Sequence, residues 1–205
     1  IRADVVAGRS HCAMHSLKDM PGNEETPDLV IGAYLKREDP TDSLVLRPGL
    51  TMQDLRSRQG AGFSIGTNSV RRAAFLRQIF PNAEIIHFRG AADTRIHKLD
   101  NGIKQDLVDG SQVGPADAIL LATSGMARVG VSDRISHTFD THDMLPAVGQ
   151  GIVAVECAAA DWKTRQYLAL IDDLDARASA EAEREVLWVL DGHCNSPIAS
   201  YSHRE

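Results

Sequence analysis

The sequence predicts an α/β fold, and two observations lead to that prediction. Short apolar runs of strand length are followed by turns of Gly, Ser and Thr and then by segments of helical character, in an order that occurs at least three times. The hydrophobic fraction of 43% and the charged fraction of 24% are those of an ordinary globular protein. The repeated strand, turn and helix order favours a mostly parallel sheet.

The predicted strands are apolar segments bounded by turn residues. Charges and Pro40 interrupt this pattern over residues 36–42. Gly and Pro interrupt it again over residues 145–151, so we expect hinges between two domains near residues 36–46 and 145–151. The strands are predicted at residues 30–35, 63–66, 84–88, 118–122 and 152–156.

Hydroxyl residues that can cap free amides indicate where helices begin. Ser69 predicts one helix, with Val70 among the residues of its apolar face and the arginines elsewhere. The Ala, Leu and Glu content of residues 164–190 predicts further helices, the second of them capped by Ser179. Gly192 predicts a glycine C-cap at the end of that segment.

The charged residues indicate an anionic ligand of small size. With a net charge of -6, the chain lacks the excess of positive charge that attracts nucleic acid or an anionic membrane. Single guanidinium groups beside Gly, Ser and Thr suit the bidentate capture of carboxylates or phosphates. Most of these turns follow predicted strands, where open α/β sheets bind their ligands. The candidate groups are Lys18, Arg71, Arg72, Arg89, Arg95 and Arg128.

Cys194 is a candidate for chemistry because it lies beyond a predicted helix end, flanked by His193 and Asn195. From spacing alone it is an ordinary loop cysteine, a nucleophile or attachment point, or a zinc ligand with His11, His15, Cys12 and His193. These residues lack a standard zinc spacing, so we expect no metal. The three cysteines Cys12, Cys157 and Cys194 form no Cys-x-x-Cys pair, which favours a reducing compartment.

Asp19 follows Lys18 in a short segment that ends at Pro21. One interpretation is a surface turn with a solvated ion pair. The other is a carboxylate in a cationic pocket, where it can stabilise a developing positive charge and move a proton.

Taken together, the motifs resemble those of the porphobilinogen deaminase family, also called hydroxymethylbilane synthases. The resemblance extends over nearly the whole chain, and the motifs stand in the family's order. They are HSLKDMP at residues 15–21, GTNSVRR at 66–72, RGAADTR at 89–95, KLDNG at 98–102, LPAVGQG at 145–151 and DGHC at 191–194.

The resemblance implies a transferase of tetrapyrrole (heme) biosynthesis. Such an enzyme joins four porphobilinogen molecules head to tail and releases ammonia at each step. Its dipyrromethane cofactor would be attached by a thioether to Cys194, and its catalytic aspartate matches Asp19. The resemblance further implies cofactor binding by Lys18, Ser69, Arg71, Arg72 and Arg89, and substrate binding by Arg89, Arg95, Arg128 and Gln150.

The resemblance also implies an arrangement of domains. Residues 1–44 and 150–170 would form a first domain that lacks its N-terminal segment, and residues 45–149 a second. Both would be similar to the domains of periplasmic binding proteins and joined by hinges. Residues 171–205 would begin a truncated third domain of α+β type. Porphobilinogen would be the partner, without nucleic acid or membrane, in a cytoplasmic monomer.

Three alternatives to this function remain open at the level of the sequence. The chain could be an inactive or truncated relative that keeps the fold. It could be a hinged binding protein for an anionic small molecule, which would have no need for Cys194. A cysteine-dependent hydrolase or transferase with His193 or another histidine as base is disfavoured, because adjacent loop residues rarely orient toward each other.

Overall fold

The computed structural model describes residues 1–193 and 196–203. The chain divides into two compact units: unit 1 contains residues 1–40 and 146–205, and unit 2 contains residues 41–145. The predicted α/β class is confirmed, because each unit combines helices with a sheet. The finer assignment, with a third domain that begins at residue 171, stays a prediction.

The secondary structure of the described residues is as follows. The helices are α1 (Arg2–Val6), α2 (Met52–Ser57), α3 (Val70–Ile79), α4 (Ala92–Asp100), α5 (Thr123–Arg128), α6 (Trp162–Leu168) and α7 (Leu174–Val189). The strands are β1 (Cys12–Ser16), β2 (Leu29–Tyr34), β3 (Asp42–Leu46), β4 (Ser64–Gly66), β5 (Glu84–Ile86), β6 (Gln105–Asp106), β7 (Gln112–Val113), β8 (Ala118–Ala122), β9 (His137–Phe139) and β10 (Val153–Ala158). Short 3₁₀ turns cover Leu17–Asp19 and Ser132–Arg134.

Unit 1 is built around an antiparallel sheet in the order β1-β10-β2. Helix α7 packs its alanines, Ala176 and Ala180, against Leu17, Tyr34 and Ile152. The small alanine side chains allow the helix to approach the sheet closely. The 3₁₀ turn Leu17–Asp19 follows β1 directly, so this core holds the segment that carries Asp19.

Unit 2 contains a mixed sheet in the order β5-β4-β8-β3-β9. Strand β4 pairs in parallel with β5 and β8, whereas β3 pairs antiparallel with β8 and β9. The prediction of a mostly parallel sheet is therefore wrong. The reason is strand β3, which was not predicted and which enters the sheet without a preceding crossover helix.

Helices cover both faces of this sheet. On one face, Leu55 of α2 and Leu76 of α3 pack with Leu44 and Leu120. The side chains of α4 and α5 pack on the other face, where the strands contribute residues such as Ile119. Because both faces are covered, ligands can approach the sheet at its ends, as is usual in α/β folds.

Helix α3 presents a different face to the core from the predicted one. Arg71 and Arg72 are only 4% and 7% exposed, whereas Val70 is 42% exposed. The prediction that Val70 is buried and the arginines lie elsewhere is wrong. The arginines are buried because unit 2 supplies them with a buried carboxylate, described below.

The C-terminal helices differ from their predicted boundaries. Helix α7 is capped by Asp173, whose carboxylate accepts the Ala176 N–H at 2.8 Å, and Ser179 lies inside the helix. After the helix, the left-handed residue is Asp191, with φ 48°, rather than Gly192. A Cβ on Gly192 would lie 2.3 Å from Ile198 Cδ1, so Gly192 serves close packing.

In the described part of the chain, the helices are too short or too polar to cross a bilayer.

Candidate active site

Three parallel strands of unit 2 end at the same edge of the sheet. Strands β5, β4 and β8 lie side by side, and the turns after them are the predicted anion-binding turns. Thr67 N–H donates to the Ile86 carbonyl at 2.9 Å, and Asn68 Oδ1 accepts the Phe88 N–H at 2.9 Å. The predicted convergence of the turns after β4 and β5 is confirmed by these bonds.

The first turn of α3 begins at this edge. Ser69 has an extended backbone conformation, and its hydroxyl accepts the Arg72 N–H at 3.4 Å. This capping bond ends the strand-to-helix turn and points the first residues of α3 at the sheet edge. The sequence motif thereby places Arg71 and Arg72 beside the ends of the strands.

Asp42 lies at the same edge because β3 runs antiparallel to β8, which places its first residue opposite Ala122. Arg72 donates to Asp42 Oδ1 from Nε at 3.0 Å and from Nη2 at 2.7 Å. Arg71 Nη2 lies 2.7 Å from Oδ2 of the same carboxylate. Asp42 is fully buried, so one carboxylate holds two buried guanidinium groups.

The same two arginines also bind backbone carbonyls. Arg72 Nη1 donates to Leu120 at 3.1 Å, and Arg71 Nη1 donates to Leu145 at 2.8 Å. Arg71 Nε is buried and has no hydrogen-bond partner among the described residues. Since a guanidinium has five N–H donors, both arginines keep capacity for a further acceptor.

The electrostatics of this group favour an added anion. Burial alone would raise the pKa of Asp42, but the charges of Arg72 and Arg71 outweigh it and hold the pKa below its usual value. Burial lowers the pKa of Arg71 against the opposing effect of Asp42. Two cations and one anion leave a buried positive charge.

Arg95 adds a third guanidinium to this group. Its Nε donates to the Gly90 carbonyl at 2.6 Å. Its pKa is lowered by burial and also by the positive charge of Arg72. We call Asp42, Arg71, Arg72 and Arg95 the cationic cluster.

Arg89 and Arg128 lie elsewhere on unit 2. Arg89 is exposed and lines a cavity of about 300 Å³ with residues that include His87, Gln105 and Asp109. Its backbone is held by Gln105, which accepts its N–H at 3.1 Å. Arg128 is the exposed last residue of α5. The structure therefore joins Arg71 and Arg72 through Asp42, whereas Arg89 lines a cavity with other residues.

In unit 1, Lys18 and Gln150 are brought together. Lys18 Nζ donates to Gln150 Oε1 at 3.3 Å, and Gln150 Nε2 donates to the Pro40 carbonyl at 2.7 Å. Gln150 is 1% exposed, whereas Asp19 is exposed between the buried Leu17 and Met20. Asp19 is therefore an accessible carboxylate on a firmly packed turn.

A second buried carboxylate, Glu183 of α7, supports this part of unit 1. It binds Arg37 Nη1 at 2.5 Å, Gly149 N–H at 2.7 Å and Ser202 N–H at 2.8 Å. Arg37 Nε in turn donates to the Gln150 carbonyl at 3.0 Å. Glu183 thus fixes the backbone around Gln150, whose side chain accepts the hydrogen bond from Lys18.

Neither Asp42 nor Glu183 was predicted from the sequence. Asp42 stands just before the apolar residues 44–46, which was a signal for a strand that begins with a buried acid. Glu183 follows Ala176 and Ala180 at helical spacing on the face that enters the core. Its position on an apolar helix face was a signal for a paired buried charge.

Comparison with known proteins agrees with these motifs. Residues 1–166 match the family model described as "Porphobilinogen deaminase, dipyromethane cofactor binding domain". Porphobilinogen deaminase 2 of Streptomyces coelicolor is 38% identical over 98% of the chain and 60% of its own length. The chain belongs to the porphobilinogen deaminase family. Porphobilinogen deaminases of Roseiflexus sp. and Xanthomonas campestris are 38% and 40% identical over 97% and 98% of the chain. The chain spans 60% of the length of each of these three relatives.

Similar solved structures include TRAP periplasmic solute binding proteins and a substrate binding domain of a transporter. The second substrate binding domain of a putative amino acid ABC transporter from Streptococcus pneumoniae is 12% identical, with a TM-score of 0.46. That match covers 94% of this chain and 76% of that one. At this identity and TM-score, the similarity gives no information about ligands.

The porphobilinogen deaminase match includes Asp19, Gln150 and the whole cationic cluster, since all of them lie within residues 1–166. Cys194, the predicted attachment point, lies outside the described residues and beyond the matched segment. On either side of it, the backbone N–H of Ser196 donates to the His193 carbonyl at 2.8 Å. The role of Cys194 stays a prediction.

Proposed function

We propose that the protein is a hydroxymethylbilane synthase, which condenses four porphobilinogen molecules head to tail and releases ammonia in tetrapyrrole (heme) biosynthesis. The observation that carries the proposal is the cationic cluster, in which Arg71 and Arg72 share one buried carboxylate and the charge of Arg72 also acts on Arg95. A chain of pyrroles with two carboxylates each is a polyanion, and buried guanidinium groups bind carboxylates strongly and with defined geometry.

The residues of unit 2 suit the carboxylates of the family's dipyrromethane cofactor. The unpaired Arg71 Nε and the remaining N–H donors of Arg72 offer hydrogen bonds where the net charge is positive. Dipyrromethane, bound by a thioether to Cys194, would supply the pyrrole carbon from which the product grows. Lys18, Ser69, Arg71, Arg72 and Arg89 would hold its carboxylates.

Asp19 would carry the proton chemistry and the charge stabilisation. Its exposed carboxylate is held in place because Leu17 and Met20 are buried on either side. A fixed carboxylate stabilises the positive charge that develops on porphobilinogen as ammonia leaves, and it can hold the pyrrole N–H proton. Arg89, Arg95, Arg128 and Gln150 would bind the acetate and propionate groups of the incoming substrate.

We further propose that the protein is a cytoplasmic monomer that binds neither nucleic acid nor a membrane surface. The net charge of -6 supports weak interaction with both kinds of polyanion. The absence of Cys-x-x-Cys pairs supports a reducing compartment. Porphobilinogen would then be its principal small-molecule partner.

The denatured intact mass of the protein expressed from its natural gene tests this function. We expect an excess equal to two linked pyrrole units, and we expect Cys194→Ser to lack it. The matched variant Cys12→Ser should keep it. An unmodified mass that persists after incubation with porphobilinogen would instead indicate an inactive relative or a binding protein.

The role of Asp19 is tested separately in protein that carries the excess mass. We expect Asp19→Asn to keep the excess mass but to lose most of its rate of ammonia release, because only the charge has been removed. Asp133→Asn, on an exposed turn of unit 2, should release ammonia at the normal rate. Equal rates for Asp19→Asn and the unaltered protein would remove Asp19 from the mechanism.

A further inference from the structure

Two cysteines that the proposed function does not use face each other across strands β1 and β10. Cys12 is the direct partner of Cys157 in the antiparallel register. Just beyond one end of the same two strands, Leu17 N–H donates to the Ile152 carbonyl at 2.9 Å, so Leu17 and Ile152 form a hydrogen-bonded pair. Hydrogen-bonded and non-hydrogen-bonded pairs alternate along an antiparallel ladder, so Cys12 and Cys157 form a non-hydrogen-bonded pair.

The other side of β10 leads to the same assignment. Ala159 N–H donates to the Asp28 carbonyl at 2.9 Å, across the boundary with β2. Since the direction of backbone groups alternates along a strand, the N–H and C=O of Cys157 also point toward β2. The side of Cys157 that faces Cys12 is therefore free of ladder hydrogen bonds.

The distance between the Cα atoms of a non-hydrogen-bonded pair is compatible with a disulfide. Cα atoms in non-hydrogen-bonded pairs are about 4.5 Å apart, and the side chains lie on the same face of the sheet. Disulfides join Cα atoms that are about 4.4–6.8 Å apart. The backbone spacing of such a pair therefore allows a disulfide between the strands.

The surroundings of the two thiols agree with this closeness. Leu168 packs against the cluster that contains Cys157, and it also lines a cavity of about 450 Å³ with Cys12. The pKa of Cys157 is raised mainly by burial, and the Cys12 thiol adds to the rise. The two sulfur atoms therefore share one local environment.

The two thiols differ in their access to solvent. Cys12 is exposed at the cavity, beside His11 and Lys163, whereas Cys157 is fully buried. A reagent from solution meets Cys12 first, and Cys157 is shielded from the reagent but lies next to Cys12. Cys12 is thus placed to react with an oxidant, and Cys157 is placed to displace the group that the oxidant leaves on Cys12.

We propose that Cys12 and Cys157 form a reversible cross-strand disulfide when the protein meets a low-molecular-weight disulfide such as glutathione disulfide. The Cys12 thiolate attacks one sulfur of glutathione disulfide, and one glutathione thiolate leaves. Cys157 then loses its proton to solvent and attacks the Cys12 sulfur, which releases the second glutathione. Two protein thiols are oxidised, and one glutathione disulfide is reduced to two glutathione molecules.

The disulfide would fasten the strand that leads to the Asp19 turn. Strand β1 continues directly into the 3₁₀ turn Leu17–Asp19, and β10 is the central strand of the unit 1 sheet. Cys12 lies at the opposite end of β1 from this turn. The link would therefore secure the sheet at the end of β1 that is distant from Asp19.

Peptide mapping of the fully folded protein tests the proposal. The protein is incubated with excess glutathione disulfide, quenched in acid, alkylated under denaturing conditions and digested without reductant. We expect a linked pair of peptides that contain Cys12 and Cys157, lighter than the free peptides by two hydrogen atoms. Dithiothreitol should restore both thiols. Cys194→Ser, the matched control, should form the same linked pair.

Two results would overturn the proposal. One is wild-type protein that carries glutathione on Cys12 while Cys157 is recovered fully alkylated. The other is a linked pair that contains Cys194 in place of either residue. Cys157→Ser should accumulate glutathione on Cys12, but the wild-type map alone decides, whatever the stability of the variants.

Discussion

At the scale of single residues, Asp42 determines whether the cationic cluster can exist. Arg71 and Arg72 are both buried, and each takes an oxygen of this carboxylate. A buried charge without a partner costs far more than a solvated one. The positive charge that the cluster offers to a ligand therefore depends on a negative charge that stays in place.

We expect Asp42→Asn to lower the free energy of unfolding of unit 2 by about 3–5 kcal/mol, because it leaves two buried guanidinium groups with no anion. Asp133→Asn is the matched control, since Asp133 is exposed in the same unit. Its effect should stay below about 0.5 kcal/mol. Urea unfolding measures both, and equal midpoints for the two variants would mean that the ion pairs add nothing.

Asp42 also makes the unfolding free energy of the protein depend on pH in the acidic range. The pKa of Asp42 in the folded protein is below its ordinary value of 3.8, so its contribution is complete above that value and disappears as pH falls through the lowered pKa. We expect the gap in unfolding free energy between wild type and Asp42→Asn to be constant near neutral pH. It should close below about pH 4. Urea titrations at several pH values measure this gap, and a gap independent of pH would contradict the assignment.

At the scale of elements, helix α7 depends on its first turn. The Asp173 carboxylate accepts the Ala176 N–H at 2.8 Å. Ser179, the cap predicted from the sequence, lies more than one turn inside the helix. We expect Asp173→Ala to cost about 0.5–2 kcal/mol, because one free N–H loses its partner. Ser179→Ala should cost little, since alanine is the better helix former. Urea unfolding of both variants measures this, and the reverse order of stability would restore the cap predicted from the sequence.

The sequence predicted elements best where the signal is local. Strands β2, β4, β5, β8 and β10 were predicted near their observed positions, because short apolar runs between turn residues identify them. Strand β3 was missed, since charges and Pro40 stand beside its apolar residues. Its partners β8 and β9 are distant in the chain, and only their pairing shows that β3 lies in the sheet.

The candidate site shows the same division. The motifs identified Arg71, Arg72 and Arg95; Asp42 joins the first two, and the charge of Arg72 lowers the pKa of Arg95. The carboxylate that holds Arg71 and Arg72, Asp42, stands about 30 residues earlier in the chain. Residues so far apart in the chain form no short sequence motif. Their contact becomes visible only in the antiparallel pairing of the strands.

At the scale of the whole molecule, the chain leaves unit 1 after Pro40 and returns to it at Pro146. Glu183 binds a residue just before the departure, Arg37, and one just after the return, Gly149. It also binds Ser202, close to the end of the described chain. A single buried carboxylate thus fastens three segments of unit 1 that are far apart in sequence.

We expect Glu183→Gln to loosen these three segments together. The amide keeps the shape of the side chain but removes the anion from Arg37, which should cost about 3–5 kcal/mol. Hydrogen exchange should quicken at Gly149 and Ser202, because both donate their N–H to this carboxylate. Glu181→Gln on the same helix, whose side chain is 59% exposed, should leave these two amides unchanged. If only one of the two amides exchanges faster in Glu183→Gln, the segments are held independently and Glu183 is not their common anchor.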